Sequence, residues 1–392
     1  MHITCTPGAL AKPLSRCASI CNPRSPSPMA YNILLEAKKK GVLIYATDFE
    51  RTLVERVTDV EVHEAGRVCV SGKTLSDIVN LMQNDVELEI QSSREDHQLH
   101  LRTPASRLNL SCYDETAYPD ITPFASEQSF PVDAHTFEQM VRMTEWCVPE
   151  GKLLELAGVY MEARNGQLRM TSTDRQVMVH TQADAAVPES LDIGALVAAP
   201  TVERLAPVAG GVVRREKGSE EPPQVDVAML ENAFMVREPN AFFSGPVMAT
   251  TFPPYERYIP GKSTLNRSVT CNRNELMAAI RQCKLFTSIE QWGIVFSVDD
   301  DQLVVRGAST EKGSAIHRVD AAVEGKWRNL RVAFNPDFFL TGLRLLPIEE
   351  VTVQFADASR RPSEVVDRAL IQCDVGRVRF LYMIMSTSLP GE

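Results

Sequence analysis

The sequence predicts an α+β protein of three tandem repeats, each with two helices packed on antiparallel sheets. Three observations predict it. The first is an amphipathic spacing, apolar at i, i+3, i+4 and i+7, that the chain writes three times. It reads Leu10, Pro13, Leu14 and Cys17, then Phe137, Met140, Val141 and Thr144, then Leu276, Ala279, Ile280 and Cys283, at steps of about 127 and about 139 residues. The second is another helical pattern trailing each copy: Leu75, Ile78, Val79, Met82; Val202, Leu205, Ala206, Ala209; Phe339, Gly342, Leu343, Leu346. The third is an apolar run into a small polar turn between the two helices. It reads GVLIYATDFERTLV from Gly41, GQLRMTSTDRQVMV from Gly166 and DQLVVRGASTEKG from Asp301. Each match alone is weak. The same order and phase three times over is the mark of an internal repeat.

In the first repeat, residues 1–125, the opening helix is followed by alternating runs at Gly41–Ala46, Leu53–His63, Arg67–Val70, Glu87–Gln91, Gln98–Arg102 and Arg107–Cys112. The second, residues 126–253, places strands at Gly158–Ala163, Gln167–Ser172, Gln176–Gln182, Gln224–Met229 and Ala233–Arg237. Its segment Arg214–Pro223 reads as an exposed hairpin or loop. The third, residues 254–392, places strands at Gly293–Val298, Gln302–Arg306, Ala315–Val323, Val351–Phe355, Arg368–Cys373 and Arg377–Met385. Tyr118–Pro131 and Pro253–Leu265 are rich in Pro, Asp or Ser and read as the joints. Three such units docked edge to edge form an arc with two open ends. Head-to-tail self-association closes the arc into a ring.

Composition narrows the function classes. The 392 residues are 44% hydrophobic and 23% charged, ordinary for a soluble globular chain. No apolar stretch approaches the ~18 residues of a membrane span, and the N-terminus lacks the apolar core of a signal peptide. Nine scattered cysteines form no metal or disulfide framework, so a reducing cytoplasm is the expected compartment. The net charge of -10 disfavours indiscriminate polyanion binding but permits a local basic track.

Several segments together resemble the bacterial DNA polymerase III beta subunit, the sliding clamp, over nearly the whole length. They are Leu10–Leu14, Ala46–Asp48, Ser71–Met82, Ser172–Asp174, Phe252–Pro260, Phe334–Pro336 and Tyr382–Met385. The segment FPPYERYIP is the most specific of these. The resemblance implies a processivity factor: a head-to-tail homodimeric ring around duplex DNA, with helices lining the hole. It implies as partners sequence-independent double-stranded DNA, DNA polymerase III alpha and other clamp-binding proteins, and an ATP-dependent loader, with no membrane partner. A diverged paralogue with altered or lost partner binding is the alternative.

Three sites follow from that resemblance. Cations on or beside the repeated helices, Lys12, Arg16, Arg24, Lys73, Arg142 and Arg281 with Arg204 and Lys284, are expected to touch phosphates without reading bases. The same residues also suit a solvated helix face. A partner-peptide cleft is expected from Leu156, Thr173, Arg175, Val177, Met178, Pro253, Arg257, Tyr258, Met383, Ile384 and Met385. The chain departs from the family at Arg175-Gln176-Val177 and at Ser386-Thr387-Ser388, so a shifted peptide preference is expected. The ring interface is expected between Arg107, Leu108 and Leu110 and a helix end at Leu285 and Phe286.

Catalytic alternatives find little support. His97 and His100 have no carboxylate or thiol cluster to complete a metal site, and no nucleophile-elbow, phosphate-loop or dinucleotide motif is present. Asp48 and Asp174 each follow a Thr in a turn, where Asp commonly bonds its own backbone. The expectation is a non-catalytic protein with no metal and no cofactor.

Overall fold

The computed structural model describes residues 1–392 except 94–96, 150, 152, 216–221, 289–292, 328–329, 358–365 and 390–392. The chain forms two compact units, one from Met1–His135 with Glu203–Met248, the other from Thr136–Val202 with Ala249–Glu392.

Among the described residues there are six α-helices, α1 Pro7–Ala18, α2 Gly72–Leu81, α3 Ala134–Thr144, α4 Ala199–Arg215, α5 Arg273–Lys284 and α6 Pro336–Arg344. They carry the repeated apolar positions. Leu10, Leu14 and Cys17 of α1 are buried, as are all four positions read in α3, α4 and α5. Met82 and Leu346 fall just outside α2 and α6, and Leu346 is still buried. Local chemistry starts the helices. Ser71 Oγ accepts from the amide of Thr74 at α2, and Asn272 Oδ1 accepts from Asn274 and Glu275 at α5. At α6, Asn335 Oδ1 accepts from Asp337 and Pro336 supplies a preset φ at the first position. Within the first unit α1 packs on α2 across a polar seam where Asn80 Nδ2 donates to Ser15 Oγ at 3.0 Å. Within the second, α5 packs on α6.

Each unit holds one continuous, wholly antiparallel sheet. The first runs Ser129–Asp133, Gln224–Met229, Ala233–Glu238, Ala241–Pro246, Thr52–Val57, Gly41–Thr47 and Asn32–Lys38. It continues through Gly66–Ser71, Arg107–Tyr113, Gln98–Arg102, Leu88–Ser93, His2–Cys5 and Val60–Glu64. The second runs Ile193–Ala198, Gly158–Arg164, Gln167–Thr173, Val177–Asp184, Val378–Met385 and Val366–Val375. It continues through Glu350–Asp357, Leu265–Asn272, Gly313–Glu324, Gln302–Ser309, Ile294–Asp299 and Val332–Phe334.

Two sequence expectations change here. The run Leu53–His63 is not one strand: it breaks after Val57 and resumes at Val60, and Val60–Glu64 pairs with His2–Cys5 at the far end of the sheet. The segment read as a loop from Arg214 begins inside α4, which continues to Arg215; residues 216–221 of it lie outside the described residues.

The repeated turn has the same bonds in two copies. Thr47 Oγ1 accepts from Phe49 N and Asp48 Oδ1 from Glu50 N and Arg51 N. Thr173 Oγ1 accepts from Arg175 N and Asp174 Oδ1 from Gln176 N and Val177 N. Phe49 and Arg175 occupy the same left-handed position, φ 75° and 78°. Both aspartates are thus turn-formers, satisfying amides that the reversal leaves unpaired.

Candidate functional site: an apolar cleft in the second sheet

The strands Val177–Asp184 and Val378–Met385 lie side by side, with Met178 opposite Met383 and Val177 opposite Ile384. Strand alternation then sorts the predicted residues. Met178, Met383 and Met385 share the face that lines a cleft of about 400 Å³. Val177 and Ile384 point to the other face and are fully buried in the core, so they support the cleft without lining it. Leu156, Thr173, Arg175, Pro253 and Tyr258 complete the predicted residues found in the lining, and exposed Arg257 lies outside it.

The back of the cleft is rigid. Gly342 of α6 lies against the last strand so closely that an added Cβ would sit 2.1 Å from the ring of Tyr382, the neighbour of Met383. Tyr382 is fully buried and its hydroxyl donates to the carbonyl of Phe338 at 2.8 Å. The wall formed by Phe252–Tyr258 is anchored as firmly. Phe252 stacks on Tyr160 with ring centres 5.0 Å apart, and the buried Tyr255 hydroxyl donates to Glu162 Oε2 at 2.6 Å. Arg164 bonds both Glu162 and Glu256, at 2.7 and 3.1 Å. His180 lies behind this wall against the Tyr255 ring, its Nδ1 2.9 Å from Thr171 Oγ1. Burial, reinforced by the Arg169 charge, lowers its pKa to about 4, so the ring is neutral at physiological pH.

Four lining residues were absent from the sequence reading of this site: Glu155, Phe252, Tyr255 and Arg368. Phe252 and Tyr255 stood in the FPPY segment and were legible as part of it. Arg368 had no local signal. It reaches the cleft because its strand pairs it with Met385. Tyr258 adds exposed apolar surface to the lining, and Leu154, next to Glu155 in the sequence, is exposed as well.

The basic residues separate into groups. Arg16 on α1 is largely buried, its Nε 2.8 Å from Glu55 and its Nη2 2.5 Å from Glu238, so its charge is already matched within the first unit. Arg142 pairs with Glu138 one turn back on α3, Lys284 with Asp337, and Arg204 donates to the carbonyl of Ser19. Lys12 is exposed on α1. Arg24, Lys73 and Arg281 are exposed, and among the described residues their side chains have no hydrogen-bond or ion-pair partner.

Three predicted interface residues, Arg107, Leu108 and Leu110, lie on a strand with an open edge, and the other two, Leu285 and Phe286, lie at the end of α5. Arg107–Tyr113 pairs with Gln98–Arg102 on one side, but on the other, among the described residues, only Cys112 and Tyr113 pair, with Val70 and Cys69. Arg107 and Leu108 are exposed on the unpaired part, while Leu110 is buried. In the second unit the strand Gly313–Glu324 is built alike. Residues 313–320 pair on one side with Gln302–Ser309, and among the described residues only 321–324 pair on the other, with 268–271. Leu285, at the end of α5, and Ile316, on this strand, are exposed, and Phe286 is half-buried. The nine cysteines are free, and among the described residues no helix is long and apolar enough to cross a membrane.

Comparison with known proteins places this architecture. The Beta sliding clamp of Pseudomonas aeruginosa is 23% identical over 360 residues, 92% of this chain and 94% of that protein. That of Escherichia coli K12 is 23% identical over 352 residues, 89% and 91% of the two chains. The crystal structure of the DNA polymerase III subunit beta from Pseudomonas aeruginosa superposes with a TM-score of 0.86 at 22% identity, covering 99% of this chain and all of that one. The Bacillus subtilis DNA polymerase sliding clamp gives 0.86 at 18% identity and 99% coverage of both. Residues 1–122 match the DNA polymerase III beta subunit N-terminal domain and residues 256–370 its C-terminal domain, together more than half of the sequence, and the chain belongs to that family.

Proposed function

We propose that this protein is a DNA sliding clamp, a processivity factor that encircles duplex DNA and tethers polymerases through the cleft around Met178 and Met383. The observation that carries the reading is the whole-length likeness to clamps, with both terminal-domain matches in register. The role is mechanical and asks for no chemical step. In this reading the chain is organised as three clamp domains, 1–125, 126–253 and 254–392. Two copies close head to tail, the open edge at Arg107–Leu110 of one chain meeting Gly313–Val319 and Leu285 of the next. Antiparallel pairing then satisfies backbone groups that both edges leave free, while Leu108 and Leu285 supply apolar contact.

Arg24, Lys73 and Arg281, with Lys12 and Arg142, are the proposed phosphate contacts. Such contacts carry no base information, which is what sliding requires. Arg16 is assigned instead to the ion cluster with Glu55 and Glu238. A separate ATP-driven loader opens the ring, and polymerase III alpha and other factors bring short peptides to the cleft, whose thioether lining adapts to varied apolar side chains. The open cleft supports partner binding over the reading in which this chain is a paralogue that has lost it.

The test is retention on DNA. Loaded by a cognate loader onto a nicked circular plasmid, the protein should stay bound through high-salt filtration and run off when the circle is cut. Loss from the intact circle at the same rate as from the cut DNA would refute encirclement.

A further inference from the structure

We propose that Arg368 makes the cleft selective for peptides that carry a carboxylate beside their apolar anchors. The inference rests on the cleft being the partner site. Met178, Met383, Met385 and Pro253 give affinity for apolar side chains but little discrimination among them. Discrimination needs a fixed polar group. Arg368 is fixed: Nε and Nη2 hold the two oxygens of Asp367, each at 2.7 Å, and Nη1 donates to the carbonyl of Tyr258 at 2.9 Å. Its side chain is only 18% exposed, yet it lines the cleft opposite Met385.

A guanidinium has five N–H donors, and these bonds use three. Two donors remain on a side chain held rigid at the cleft. A ligand oxygen meeting them forms charge-assisted hydrogen bonds without paying to order a flexible side chain. Asp367 balances the charge of Arg368, so the preference comes from these directed donors together with the second cation, Arg175, at the rim. Arg175 is 63% exposed and its only paired carboxylate among the described residues, Glu155, is 3.5 Å away. That long, solvated pair leaves Arg175 able to turn to an incoming acid. A lysine at the same peptide position meets two guanidinium groups and no acceptor on Arg368.

The probes are two fluorescein-labelled nine-residue peptides with the same leucine and phenylalanine anchors, one carrying Glu and the other Lys beside them. Binding to the full-length protein is read by anisotropy. The Glu peptide should bind roughly tenfold more tightly, the effect of about one charge-assisted hydrogen bond. Arg368→Gln should cut the ratio to the part that Arg175 supplies, chiefly by weakening the Glu peptide. Arg368→Lys keeps the charge without the planar fork and should also lose most of the ratio; it serves if the glutamine variant misfolds. Equal affinity of the unaltered protein for both peptides overturns the proposal and leaves the cleft assignment standing. Failure of both peptides to bind overturns the cleft assignment itself.

Discussion

Arg16 lies on a helix proposed to face DNA, yet its guanidinium is turned inward. Replacing it with Met, close to it in length, removes the cation from beside two carboxylates whose side chains are 3% and 0% exposed. The bonds it gives up are short, 2.8 Å to Glu55 and 2.5 Å to Glu238, and Arg16 itself is 15% exposed, so water cannot readily take its place. Breaking a buried ion pair from one side typically costs about 3–5 kcal/mol, because the carboxylates stay behind with their desolvation uncompensated. The expected loss for Arg16→Met is in that range. Arg16→Lys, which keeps the charge on a single point donor, should cost less. Urea unfolding followed by far-UV circular dichroism gives the total, and hydrogen exchange gives the location. Protection should fall in Thr52–Val57 and Ala233–Glu238, the strands that carry the two acids. A loss under about 1 kcal/mol, with reduced retention on DNA instead, would refute this assignment and return Arg16 to the phosphate contacts.

Three more predictions test other parts of the molecule. His180 keeps a pKa near 4 in the fold against 6.5 unfolded, so the unfolded chain binds more protons between those values. Stability should therefore fall as pH drops from about 6.5 to 4 and level off below; His180→Gln should flatten the urea midpoint over that window, and an unchanged slope would count against a neutral ring held in this half-buried position. Met383→Ala combined with Pro253→Ala should weaken binding of a polymerase-tail peptide at least about tenfold with the circular dichroism unaltered, and unchanged affinity would remove the cleft as the docking site. Leu108→Glu and, separately, Leu285→Glu should each raise the dimer dissociation constant by about thirtyfold or more in sedimentation; a wild-type constant in either would show that the ring closes elsewhere.

The helices were legible because one buried stripe per helix imposes a period that survives in any sequence. Several strands were not. Asn32–Lys38 is buried at all of its first six positions and so shows no alternation. Ser129–Asp133 contains Pro131, which usually argues against a strand, but it lies at the outermost edge of its sheet, where a missing amide costs nothing. In the cleft, the methionines and the FPPY wall could be read from the chain. The sorting of Val177 and Ile384 away from the lining depended on register, and the presence of Arg368 depended on a cross-strand partner 17 residues further on. Pairings across a sheet leave no trace in local sequence.

The way the middle third of the chain is shared between the two sheets sets a schedule for biosynthesis. Thr52–Val57 gains its second neighbour only when Ala241–Pro246 has been made, about 190 residues later, and Val177–Asp184 waits about 200 residues for Val378–Met385. At roughly 5–20 residues per second, each edge stands open for on the order of 10–40 s while the ribosome works on. A nascent chain in that interval shows apolar strands with one unpaired edge to every neighbour. With this connectivity neither sheet completes its pairings until its late strands have been made, so the three thirds of the chain cannot each close a sheet in turn.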